Sequence, residues 1–116
     1  MNNSSDHLDY ANQLDTQMRK GFLVYCVLLI CSPRPVYSSD IIKRLRDASL
    51  VVVEGTIYPM LNRLQKDGLL LHDWKESPQG PPRKYYRVST SGQKILEELK
   101  KTNQQLQATI NKIEKE

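Results

Sequence analysis

Gly55-Thr56-Ile57-Tyr58-Pro59-Met60-Leu61-Asn62-Arg63-Leu64-Gln65-Lys66-Asp67-Gly68-Leu69 is the stretch that decides the fold. With Ile57 turned inward, Leu61 and Leu64 follow on the same side at i+4 and i+7, with Met60 beside them. That is the spacing of a short amphipathic helix. Its opposite side carries Gly55, Pro59, Asn62 and Lys66, flanked by Tyr58 and Arg63. Gly68 closes the helix. Pro59 lacks a backbone donor, so it is harmless only if the helix starts near Thr56; an earlier start implies a bend.

Two strands are expected downstream, Leu69 to Glu76 and Arg83 to Val88, joined by Ser77-Pro78-Gln79-Gly80-Pro81-Pro82. A six-residue, proline-rich connection is stiff and contains no tight two-residue turn. Alternation puts Lys84, Tyr86 and Val88 on one face of the second strand and Arg83, Tyr85 and Arg87 on the other. Tyr86 is the core candidate of the tyrosine pair. Trp74, the single tryptophan, is expected to stack within the hairpin.

Upstream, residues 1–8 read as a loose polar arm and about Asp9 to Cys31 as a first helix. Leu14, Met18, Phe22, Tyr25 and Leu29 recur along one face. From Phe22 onward nearly every residue is apolar, which predicts burial all round. Ser32-Pro33-Arg34-Pro35 ends this helix. A second helix starts near Ser38, a capping residue, with Asp40 complementing the dipole. Ile41, Ile42 and Leu45 face inward, and Lys43, Arg44 and Arg46 outward. Leu50-Val51-Val52-Val53 is a short strand or a packed connector.

Thr90-Ser91-Gly92-Gln93 fits a capping box, with Thr90 as cap and Gln93 reaching back. In the final helix Leu96, Leu99, Leu106, Ile110 and Ile113 mark a heptad seam, with Asn103 at an apolar position. A polar residue there fixes register and partner number at some cost in stability. The seam predicts pairing of two copies, with Leu14 and Met18 of the first helix joining it.

The 116 residues suit one domain. Its parts would be an arm over 1–8, a DNA-binding unit over 9–89 and a dimerisation helix over 90–116. The net charge is +4, and residues 18–92 hold twelve Lys and Arg against six Asp and Glu. A positive excess beside the helix and hairpin suits a phosphate backbone. The longest apolar run, Phe22 to Cys31, falls short of the roughly 20 residues that span a bilayer. The opening has no signal-peptide pattern, so a soluble, cytoplasmic protein is expected. Cys26 and Cys31 lie five apart, which is neither a redox pair nor a zinc spacing. His7 and His72 are isolated from each other and from any acid or cysteine cluster. Neither a metal site, nor a cofactor, nor a catalytic constellation is expected, so the chain does not read as an enzyme.

Helix, strand, basic loop and strand in that order predict a mainly α fold with a small β-hairpin. This is a winged helix-turn-helix with dimerisation helices at both ends. Asn62 can pair with adenine, and Arg63 or Lys66 with guanine or phosphate. Gly55 and Thr56 would let the backbone approach a phosphate. Arg83 and Lys84 would sit on a backbone or enter the minor groove. A two-fold dimer would set two reading helices about one DNA turn apart, ~34 Å, on a roughly palindromic operator. The alternative is a winged helix used for protein contact without specific DNA binding.

The 55–69 stretch, together with Gly80-Pro81-Pro82-Arg83-Lys84-Tyr85-Tyr86-Arg87-Val88-Ser89, resembles the PadR family of bacterial transcriptional regulators. Ile41-Ile42-Lys43-Arg44-Leu45 looks like that family's second helix. The resemblance spans roughly residues 18 to 100, and the length is similar to the short branch with a single C-terminal helix. It implies a homodimer whose C-terminal helix packs on the partner's first helix, and operator binding, usually repressive. It implies that Thr56, Tyr58, Pro59, Asn62 and Arg63 face double-stranded DNA. By the same resemblance Ser38, Ser39 and Lys43 lie near the backbone, and Arg83 and Lys84 on the wing. It also implies release by a small aromatic effector near the dimer interface. Two departures stand out: Ser38-Ser39 replaces a Gly-Tyr pair, and the last helix holds no aromatic residue.

Overall fold

The computed structural model describes the backbone of residues 3–116 and the side chains from residue 6. Seven elements follow one another: α1 (Asn3–Cys31), β1 (Val36–Tyr37), α2 (Ser38–Asp47), α3 (Glu54–Lys66), β2 (Leu70–Ser77), β3 (Gly80–Val88) and α4 (Thr90–Glu114). The sheet is antiparallel in the order β1-β3-β2.

The inward-facing triads form the centre as their spacing requires. Ile41, Ile42 and Leu45 of α2 and Ile57, Leu61 and Leu64 of α3 are buried. They pack with Leu23, Val27, Leu28 and Cys31 of α1, Val36, Leu70, Tyr86 and Leu96. α2 and α3 also end alike. Leu69 N–H donates to the Leu64 carbonyl (2.9 Å) and Gly68 N–H to that of Gln65 (3.0 Å). Leu50 N–H and Ser49 N–H do the same to Leu45 and Arg46. Both ends need a left-handed residue. Gly68 (φ 82°) supplies it after α3, whereas after α2 it is Ser49 (φ 70°).

The core fills only the middle of the molecule. Its radius of gyration is 17.3 Å, against roughly 13 Å for a compact domain of this length. The excess lies in α1 and α4: every described side chain from Asp6 to Phe22 is exposed, as are all from Lys101 onward except half-buried Asn103.

Several expectations change. The arm expected over residues 1–8 is helical from Asn3, with Asp6 in the first turn, where a carboxylate suits the dipole; residues 1 and 2 lie outside the described residues. α1 is not buried all round beyond Phe22, because Phe22 and Leu29 stay exposed. Of the stripe Leu14, Met18, Phe22, Tyr25 and Leu29, only half-buried Tyr25 packs against the core; the other four are exposed, and Leu23, Val27 and Leu28 face inward instead. Ser38 is not a side-chain cap, since Tyr37 holds the N-cap position of α2. Of the two alternatives for Leu50 to Val53, the packed connector holds, with Leu50 and Val52 against the core; the remaining strand is Val36–Tyr37, which pairs with Tyr86 and Tyr85.

α3 starts at Glu54, so Pro59 lies inside it. Its missing donor leaves the Gly55 carbonyl without an intrahelical partner. The hairpin closes more tightly than expected: Ser77 pairs with Gly80, leaving only Pro78-Gln79 as the turn. Pro78 pre-sets the backbone angle of a first central turn residue. Pro81 and Pro82 are tolerated within β3 because they oppose Glu76 at a register shift, beyond the reach of β1.

Ser89, not Thr90, caps α4. Its Oγ accepts from Gly92 N–H (2.9 Å) and donates to the Gly68 carbonyl at 2.6 Å. α4 meets the strands so closely that a methyl on Gly92 would collide with the Leu69 carbonyl and lie 2.8 Å from Val88 Cγ1.

Candidate nucleic-acid interface

Burying Ile57, Leu61 and Leu64 turns the rest of α3 outward. Gly55, Thr56, Pro59, Asn62, Arg63 and Lys66 are exposed, and Tyr58 is half-buried. Among the described residues, Arg63 and Lys66 enter no ion pair. Nothing lies within 4 Å of the place a Gly55 side chain would occupy. No side chain caps the helix start, so the Glu54 and Gly55 amides are open to an anion. Glu54, exposed in the same turn, opposes that attraction in part.

The two wing cations read from the sequence do not act side by side. They alternate across the ribbon, as neighbours on a strand must. Lys84 Nζ sits 5.1 Å from the Tyr86 ring centroid and 5.9 Å from that of Trp74, on the face continuous with the core. Trp74 itself is 63% exposed, with its ring edge toward His72 at 6.2 Å, so it stacks only loosely within the hairpin. Arg83 takes the outer face, its guanidinium 4.9 Å from the Tyr37 ring. Lys75, which sequence reasoning missed, joins it: it is the cross-strand partner of Arg83 and lies over Tyr85 at 4.6 Å. Only the register could have shown this, through the pairing of β2 with β3. Arg87 is held by Asp73 at 3.2 Å.

At α2, Ser38 is half-buried, and Ser39 and Lys43 are exposed. Lys43 lines a cavity of about 360 Å³ with Arg34, Tyr37, Asp40, Arg44 and Tyr85. Arg34, Lys43 and Arg44 stand there against Asp40 and Asp47, and the shared rings of Tyr37 and Tyr85 join this flank of α2 to the outer wing face. A larger groove of about 770 Å³ runs between α1 and α3. Leu23, Val24, Leu50, Val52, Met60 and Leu64 make its walls, and Thr56, Pro59 and Arg63 its rim.

Among the described residues, the outer parts of α1 and α4 carry exposed apolar side chains. Leu14 (45%), Met18 (78%) and Phe22 (48%) of α1 are exposed, as are Leu106 (58%), Ile110 (45%) and Ile113 (61%) of α4. Leu96 departs from the expected seam: it is fully buried in its own domain, with Leu99 packed against the same core. The exposed part of the expected seam therefore begins near half-buried Asn103.

Both cysteines are free thiols. Burial pushes the Cys31 thiol up to about 12, against a weaker downward pull from Arg44, and burial also raises Cys26. A thiol so shifted is a poor nucleophile near neutral pH. Among the described residues no cluster of His, Cys, Asp or Glu could hold a metal ion, and no helix is long and apolar enough to cross a membrane.

Residues 27–98 match the transcriptional regulator PadR-like family, a span holding α2, α3, the hairpin and the start of α4. The chain belongs to this family. PadR-like proteins are DNA-binding regulators of transcription, not enzymes. The fold agrees. A PadR-like transcription factor from Bacteroides fragilis is 50% identical, covers 87% of this chain and 98% of its own, and superposes with a TM-score of 0.75. A PadR-like regulator from Bacillus cereus is 39% identical over 84% of this chain and 95% of its own, with a TM-score of 0.74. A PadR family regulator from Eggerthella lenta reaches a TM-score of 0.79 at 29% identity, covering 94% of this chain and 96% of its own. No curated protein matches the chain. The PadR-like match ends at Glu98, so the exposed half of α4 lies beyond it.

Proposed function

We propose that this PadR-like regulator works as a homodimer that occupies a palindromic operator and represses transcription by blocking access to it. The observation that carries the reading is the division of α3 into a packed Ile57-Leu61-Leu64 side and an open Gly55-Pro59-Asn62-Arg63-Lys66 side. Only the open side combines donors for base edges with backbone bare enough to approach a phosphate. Ser39 and Lys43 of α2, with half-buried Ser38, would lie against the backbone beside it. Arg83 would carry the wing contact, with Lys84 nearer the core face.

Dimerisation is supported by the unpaired apolar surface at the ends of α1 and α4. Such helix ends add nothing to the core of a single protomer, and isolated exposed helices gain little from propensity alone. The Asn103 position restricts the pairing to one register. The groove between α1 and α3 supports control by a small aromatic effector, because its rim shares Thr56, Pro59 and Arg63 with the reading face. Such a regulator acts on the chromosome, in the cytoplasm.

Selection of bound duplexes from a random pool tests the reading. Two inverted half-sites with centres about one helical turn apart, ~34 Å, are expected. Recovery without enrichment of any sequence would instead favour a winged helix devoted to protein contact.

A further inference from the structure

We propose that Tyr37 and Tyr85 are positioning residues of the DNA interface, which hold Arg83 and Lys75 as a fixed pair of cations on the outer face of the wing. The inference rests on the reading above that the wing lies against DNA. Tyr37 and Tyr85 are cross-strand partners between β1 and β3, with ring centroids 5.7 Å apart and planes tilted by 38°. Each ring carries one cation: Arg83 lies over Tyr37 at 4.9 Å and Lys75 over Tyr85 at 4.6 Å. Arg83 and Lys75 are themselves cross-strand partners between β3 and β2. Four side chains from three strands thus form one cluster.

Like charges directly opposite on adjacent strands repel. Among the described residues neither cation has a carboxylate partner, and Asp73 on the same face is engaged by Arg87. The two ring faces supply the compensating attraction. A ring quadrupole leaves the positive charge formally intact, so the pair stays available to a phosphate. The long side chains have also lost part of their freedom beforehand, which lowers the ordering cost of contact. Tyr37 stands directly before Ser38, so the same ring ties the wing to the start of α2.

The test is a double-mutant cycle on the full chain. Affinity for a labelled random-sequence duplex of about three helical turns is read by fluorescence anisotropy at one fixed salt concentration. Tyr37→Leu should weaken binding about two- to tenfold, the ordering cost of one long side chain that the ring no longer holds. In an Arg83→Ala background it should have no further effect. Tyr37→Phe keeps the ring and should bind as the wild type does. Equal losses from Tyr37→Leu in both backgrounds, or a Phe variant as weak as Leu, would overturn the proposal. Should Tyr37→Leu unfold, the cycle of Tyr85→Leu with Lys75→Ala decides by the same criteria. Wild-type affinity in both Arg83→Ala and Lys75→Ala removes the wing from the DNA, and this inference falls with that reading. Losses in those variants that simply multiply with the tyrosine losses refute the positioning role alone.

Discussion

Truncation of one seam residue, Ile110→Ala, puts the proposed dimer on a quantitative footing. Ile110 is 45% exposed in the protomer, so a partner helix has about half of its side chain left to bury. Full burial of an isoleucine stabilises by about 1.5–3 kcal/mol, so the remaining half corresponds to about 1 kcal/mol. Two-fold symmetry doubles the loss to about 2 kcal/mol per dimer, a dissociation constant raised roughly 30-fold. Lys101, also on α4, points away from the seam and pairs only with Glu98 of its own helix. Lys101→Ala is therefore the control, with no expected change. Sedimentation equilibrium across a dilution series measures both. A wild-type protein that stays monomeric at high micromolar concentration would refute the pairing. An Ile110→Ala variant that dissociates like the control would refute the assigned face.

Arg63→Ala should weaken operator binding and relax base preference at one position per half-site, by about 1–3 kcal/mol of discrimination, read by repeating the random-pool selection. Ser49→Gly should raise thermal stability by about 1 kcal/mol, since Ser49 holds φ 70° at the end of α2 and glycine takes that angle without cost. Gly92→Ala should destabilise strongly, by at least about 1–3 kcal/mol, because the added methyl overlaps the Leu69 carbonyl; a chemical melt at unchanged affinity per folded molecule checks it. Cys31 gives a pH prediction. The folded state holds its proton up to about 12 while the unfolded chain releases it near the ordinary 9.0. The contribution is thus complete below pH 9 and is lost as pH rises toward 12. The stability advantage of wild type over Cys31→Ala, which has nothing to ionise, should shrink by about 1.4 kcal/mol per pH unit across that window. A constant gap between the two denaturation curves would contradict it.

The α2 and α3 triads, Gly68 and Tyr86 were legible because each follows from local periodicity or backbone geometry. The stripe on α1 was legible as a face but not as to what covers it. Spacing shows which residues align, and only the tertiary arrangement shows that Leu23, Val27 and Leu28 outcompete Leu14 and Met18 for the core. Leu96 fits both a heptad seam and a domain interior, and the interior took it. The wing register was misjudged because Pro78 and Gly80 permit a turn much shorter than a proline-rich run suggests. Ser89 was missed as the cap because Thr90 and Gln93 offer an equally good local pattern. The two carbonyls that Ser89 also engages come from a segment some twenty residues earlier.

That small polar knot has a mechanical consequence. Ser89 Oγ is bonded at once to the segment that closes α3, through Gly68, and to the first turn of α4, through Gly92. The joint is short, largely buried and packed against glycine, so it has little room to swivel. In a dimer, the angle at which the two C-terminal helices cross would be passed through this joint to both copies of α3. Their separation along the duplex would then be tuned from the far end of the protein.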